Sequence, residues 1–89
     1  MRSMEVNVGV IRDKPGIYSG LKQSQSSHQQ LAVCYNSEGK LIVKICTVKE
    51  IVREEGGTHI TLVSPDDKVE IYIQFDSIES IYPIRDFDR

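Results

Sequence analysis

Two cysteines, Cys34 and Cys46, and two histidines, His28 and His59, are the side chains of this 89-residue chain best suited to nucleophilic or metal chemistry. Their spacing supports neither. No Cys or His follows another at the short intervals that zinc sites use. Cys46 is the better nucleophile of the two thiols, but no histidine is placed to activate it. The acidic pairs Glu54-Glu55 and Asp66-Asp67 lie beside the turn residues Gly56-Gly57 and Pro65. Loop polarity and turn capping account for them, and a hard cation needs more oxygen ligands than either pair offers. Gly56-Gly57 leads into neither a Lys-Ser/Thr pair nor a helix start, so it reads as a hairpin turn and not as a phosphate loop. The expectation is a chain that is not an enzyme and that carries no metal and no cofactor.

What remains are the elements. Residues 4–11 alternate with period two and read as a strand. Asp13-Lys14-Pro15-Gly16 reads as a turn. Residues 17–21 are ambiguous between strand and helix. Lys22 to Gln30 holds no apolar residue and reads as a solvated loop; a helix over 19–30 would be polar nearly all round. From Gln30 onward hairpins follow one another. A strand over 30–36 turns through Glu38-Gly39 into a strand over 40–46, which continues, bent, to Arg53. A two-residue loop there sets Ser37 opposite Lys40, Cys34 opposite Val43 and Ala32 opposite Ile45. Because Ala32, Cys34, Leu41, Val43 and Ile45 carry no charge, that face is assigned to the core, with Cys34 an inert buried thiol and Cys46 pointing the other way. Leu31, Val33, Ile42 and Val48 then form a second apolar surface, which the N-terminal strand is expected to cover.

A strand over 58–63 puts Ile60 and Leu62 on one face. Ser64-Pro65-Asp66-Asp67 fits a turn, and the strand 68–75 points Val69, Ile71, Ile73 and Phe75 inward, with Leu62 opposite Val69 and Ile60 opposite Ile71. Ile78, Ile81 and Ile84 close the series, with Pro83 restricting that strand to an edge. The expected fold is all-β, a small five- to six-stranded barrel in a single domain. Residues 1–29 form an N-terminal strand and polar loop, 30–84 the barrel and 85–89 a charged tail.

Charge is unevenly spread. Residues 1–30 carry +2, residues 31–63 are neutral and residues 64–89 carry −4, for a net charge of −2. A nucleic-acid module usually presents a basic field, which this chain lacks. No apolar run approaches the roughly 18 residues needed to cross a bilayer. The first residues have no apolar stretch of the secretory kind. With two cysteines and no disulfide framework, the expected setting is the cytoplasm, with both thiols reduced.

The segment Ile71-Tyr72-Ile73-Gln74-Phe75-Asp76-Ser77-Ile78-Glu79-Ser80-Ile81 resembles the closing signature of Sm-like proteins, and the block 31–84 is similar to Sm-like and SH3-like small barrels. Gln74-Phe75 stands where the Sm-like family usually has Arg-Gly, so the basic residue and glycine tied to RNA contact are missing. Asn36-Ser37-Glu38-Gly39-Lys40 and Phe75-Asp76-Ser77-Ile78 also resemble two small bacterial groups, the Rof-like inhibitors of transcription terminator Rho and the YolD-like proteins. The resemblance covers about 55 residues and implies a fold more than an activity.

The reading that follows is a protein-interaction module, a small regulator or inhibitor docking on a larger protein, whose target could present a basic nucleic-acid-binding surface. Asp66, Asp67, Glu70, Asp76 and Glu79 would dock electrostatically. Tyr72, with Gln74 beside it, would supply an exposed anchor. The alternative is an Sm-like nucleic-acid binder, in a ring, using Lys40, Lys44, Lys49 and Arg53. A third reading is a homo-oligomer, built by pairing of terminal strands, that holds a small ligand between subunits.

Overall fold

The computed structural model describes residues 9–84. It is mainly β, with one helix laid across one antiparallel sheet. The elements are α1 (Lys14–Ser27), β1 (Leu31–Ser37), β2 (Lys40–Glu54), β3 (Gly57–Val63), β4 (Glu70–Gln74), a 3-10 turn (Phe75–Ser77) and β5 (Ile78–Pro83). The strand order is β4-β3-β2-β1-β5. β4 and β5 are the two edges of an open sheet, which is not closed into a barrel. The expected strand over 4–11 falls mostly outside the described residues, as does the charged tail 85–89. Within the described part, Ile11 forms a single antiparallel bridge to Ile81.

The helix corrects the reading of residues 13–16 as a turn and of residues 22–27 as loop, and it settles the ambiguous residues 17–21 as helical. Asp13 is its N-cap: the Asp13 carboxylate accepts from the Gly16 amide at 2.9 Å. Pro15 in the first turn has the φ that a helix start needs and no amide to waste. His28 ends the helix in the left-handed region (φ 64°), its amide bonded to the Ser24 carbonyl at 2.7 Å. Only Ile17, Leu21 and Ser24 are buried, at i, i+4 and i+7. A stripe that narrow, with a serine in it, leaves the remainder of a polar helix free to face water. Gly20 lets the helix sit close to the sheet, since a Cβ there would lie 2.5 Å from the Ile81 Cδ1 methyl.

The first hairpin has the expected register, Ser37↔Lys40 through Leu31↔Cys46. Glu38 (φ 54°) and Gly39 (φ 82°) both take positive φ, as a type I′ turn requires. Its faces, however, are reversed. Leu31, Val33, Tyr35, Cys46 and Val48 are buried, whereas Leu41, Val43 and Ile45 are more than half exposed, with Ala32 and Cys34 only half-buried beside them. The reason is the helix, which packs on the Leu31–Val33–Cys46–Val48 side together with Ile60, Leu62, Ile78 and Ile81. An uncharged strand face is therefore the outer one.

β2 pairs with β1 up to Cys46 and with β3 from Thr47 onward. A bulge between Val48 and Glu50 marks the handover and leaves Lys49 as the extra residue. The β3–β4 register is displaced by two residues from expectation: Leu62 faces Ile71 and Ile60 faces Ile73. Pro65–Lys68 form the loop, Lys68 adopting φ 62°, and the Ser64 amide closes it on the Val69 carbonyl at 3.0 Å. An even displacement preserves the face, so Ile71 and Ile73 still point inward. Val69 does not, being 52% exposed at the loop end.

Candidate functional site

Burial decides the chemistry of the two thiols. Cys46 is fully buried, and burial pushes its thiol up to about 11 from 9.0. It is not the outward nucleophile expected; Cys34, on the outer face, is the more accessible of the two. Below pH 9 the protonated form predominates in both folded and unfolded chains. As pH rises from about 9 to about 11 the unfolded thiol ionises first and stability falls, by about 2–3 kcal/mol in total. Alkaline denaturation should show that loss in the native sequence and not in Cys46→Ala. Among the described residues no group of three His, Cys, Asp or Glu side chains is arranged to hold a metal ion.

The acidic candidates gather mostly around β4. Asp66 and Asp67 lie in the loop that enters it, and the Val69 amide, bonding Asp67 Oδ1 at 3.1 Å, holds that carboxyl below its usual range. Glu70 begins the strand and spans two partners. It forms an ion pair with Lys49 and accepts from the Tyr72 hydroxyl at 2.8 Å. Lys49 and then Tyr72 lower the Glu70 carboxyl, and Glu70 in turn raises both Lys49 and Tyr72. Tyr72 is 73% exposed. Gln74 is exposed at the end of the strand, and its carbonyl accepts from the Ser77 hydroxyl at 2.7 Å. Asp76 is exposed in the 3-10 turn. Glu79 is the exception, since it lies on β5 at the opposite edge.

The edges differ in their main-chain chemistry. The Ser64–Val69 bond sets the antiparallel alternation, so Ile71 and Ile73 bond to β3 while the amides and carbonyls of Glu70, Tyr72 and Gln74 point away from the sheet. On β5 the outward position Ile81 is already taken: Ile11 and Ile81 exchange both bonds, at 2.8 and 3.0 Å. Pro83, the next outward position, has no amide to offer. Among the described residues β4 is thus the open edge and β5 the closed one.

The basic candidates do not form one face. Lys40 stands at the tip of the first hairpin, Lys44 is further along β2, and Lys49 at the bulge is already paired to Glu70. Arg53, near the far end of β2, borders a cavity of about 330 Å³ with Thr58, Lys14, Pro15, Tyr18 and Phe75. Sequence reading missed that cavity because Lys14 and Tyr18 reach it only once residues 14–27 are helical. The Asp-x-Pro start signal was there to be read. No helix is long and apolar enough to cross a membrane among the described residues. Among the described residues, fold and edge together define a small, mainly β unit with an antiparallel sheet, one helix and one open strand edge. Comparison with protein-family models, curated proteins and solved structures found no match to this chain.

Proposed function

We propose that this protein is a non-enzymatic interaction module that takes an extended, basic segment of a larger protein along β4. The observation that carries the reading is the open edge, with three outward residues, Glu70, Tyr72 and Gln74, whose main-chain groups have no strand beside them among the described residues. An added strand gains affinity from main-chain hydrogen bonds and specificity from the side chains flanking the edge. Those flanks are acidic, Asp66 and Asp67 at one end and Asp76 at the other, with Tyr72 as the aromatic contact between them. A basic segment complements them, and a partner lysine or arginine can share Glu70 with Lys49. The Sm-like or SH3-like barrel reading draws its support from the long β2 shared by two strand pairs and from the short turn joining β4 to β5.

Gln74→Pro tests the edge. Gln74 has φ −91°, close to what proline demands, and its amide points outward, so the substitution removes a docking donor and leaves the β3 ladder intact. The experiment is a tagged pull-down from native lysate, with and without nuclease, using the native chain and Gln74→Pro side by side. The expected result is one stoichiometric protein that survives nuclease and is lost, by at least about tenfold in affinity, in the proline variant. Equal capture by both chains, or recovery of nucleic acid with proteins lost on nuclease treatment, would overturn the reading. The charge component has a separate expectation: Asp66→Lys with Glu70→Lys weakens binding of the captured partner and flattens its salt dependence.

A further inference from the structure

The cavity beside the helix start is built differently from the acidic edge. Its lining residues, Lys14, Pro15, Tyr18, Arg53, Thr58 and Phe75, include two cations, two aromatic rings and no carboxylate. Tyr18 and Phe75 meet edge to face, with centroids 5.9 Å apart and planes at 89°. Lys14 is fixed in place: its ammonium donates to the Ile78 carbonyl at 2.9 Å and lies 5.1 Å from the Phe75 ring centre. Three acids adjoin lining residues in sequence: Asp13 is committed to the Gly16 amide, Glu54 lies 3.5 Å from His59 Nε2, and Asp76, exposed in the 3-10 turn, meets Lys14 only through its main-chain carbonyl. Arg53 has no ion-pair partner among the described residues, and its guanidinium retains its donors for a ligand. The lining itself thus carries two cations and two rings and no acid, in a chain of net charge −2.

We infer that this cavity binds a small planar anion, an aromatic ring bearing a carboxylate or phosphate. The ring would lie against Tyr18 and Phe75, and the anionic group would meet Arg53, with the Thr58 hydroxyl beside it. Size agrees. A cavity of about 150 Å³ holds a benzene ring, and 330 Å³ accommodates a ring plus its charged substituent. Guanidinium suits either anion, because its paired N–H groups match two oxygens at once.

The test is a titration of the full chain, followed by amide NMR shifts, with four probes: benzoate, adenosine 5′-monophosphate, inorganic phosphate and benzyl alcohol. Saturable shifts at residues 14–18, 53–58 and 75–77 are expected with benzoate or the mononucleotide, at a dissociation constant of about 1 mM or below. Whichever of these two binds tighter assigns carboxylate or phosphate as the preferred group. Arg53→Gln should weaken that binding by at least about tenfold. Arg53 is exposed and, among the described residues, its side chain bonds nothing that packs the core, so the variant's remaining shifts should stay in place. No saturable shift with either anion overturns the proposal. So does phosphate binding as tightly as the ring-bearing anions, benzyl alcohol binding as tightly as benzoate, or an Arg53→Gln chain that binds unchanged.

Discussion

Leu21→Ala should lower the unfolding free energy by about 3 kcal/mol, and the melting temperature by roughly 15 °C, in thermal or denaturant unfolding. Leu21 is fully buried and belongs to the one apolar stripe that docks α1 on the sheet. The helix cannot compensate elsewhere, since its remaining buried contacts are Ile17 and Ser24. An alanine at 21 leaves a void between helix and sheet that the β ladders on either side prevent from collapsing. A loss below about 1 kcal/mol would mean that the helix contributes little to the core.

Ser24→Ala should cost nearly as much, about 2–3 kcal/mol, although it deletes a single oxygen. The β1–β2 register, continued by two residues beyond Leu31↔Cys46, would set Gln29 opposite Val48. That rung is not made directly. The Ser24 hydroxyl donates to the Gln29 carbonyl at 2.6 Å and accepts from the Val48 amide at 3.2 Å, so a helix side chain completes the ladder where the strands part. Val48 is buried, and an alanine at 24 would strand its amide without water or partner. Amide exchange at Val48 should accelerate in the variant. Ser27→Ala is the control: its hydroxyl bonds only the Gln23 carbonyl on the exposed side of the same helix, and its loss should stay within about 0.5 kcal/mol.

Ser24 also explains what the sequence conceals. The hairpin register was legible because Glu38-Gly39 can make only a narrow range of turns. The long second strand and the inward set Ile60, Leu62, Ile71 and Ile73 were legible because alternation survives any even displacement. The choice of face was not. It depended on knowing what lay on top of the sheet, and the covering helix presents two apolar side chains and a serine inside a run rich in Gln and Ser. Freedom from charge then misled, since the core-side alternation contains Lys44 and the exposed one, Leu41, Val43 and Ile45, contains none. The acidic residues around β4 were legible as a group. That they border the open edge was not, because edge status depends on Ile11 reaching Ile81 from the far end of the chain.

That asymmetry sets a limit on self-association. Units with two compatible ends can add head to tail without stopping, as rings or as filaments. Among the described residues the sheet has a single receptive margin and no second end to offer: two such molecules could pair margin to margin about a twofold axis, and growth would then terminate. Propagation would require breaking the Ile11–Ile81 bridge first, so the few atoms of that bridge act as a stopper against fibre growth.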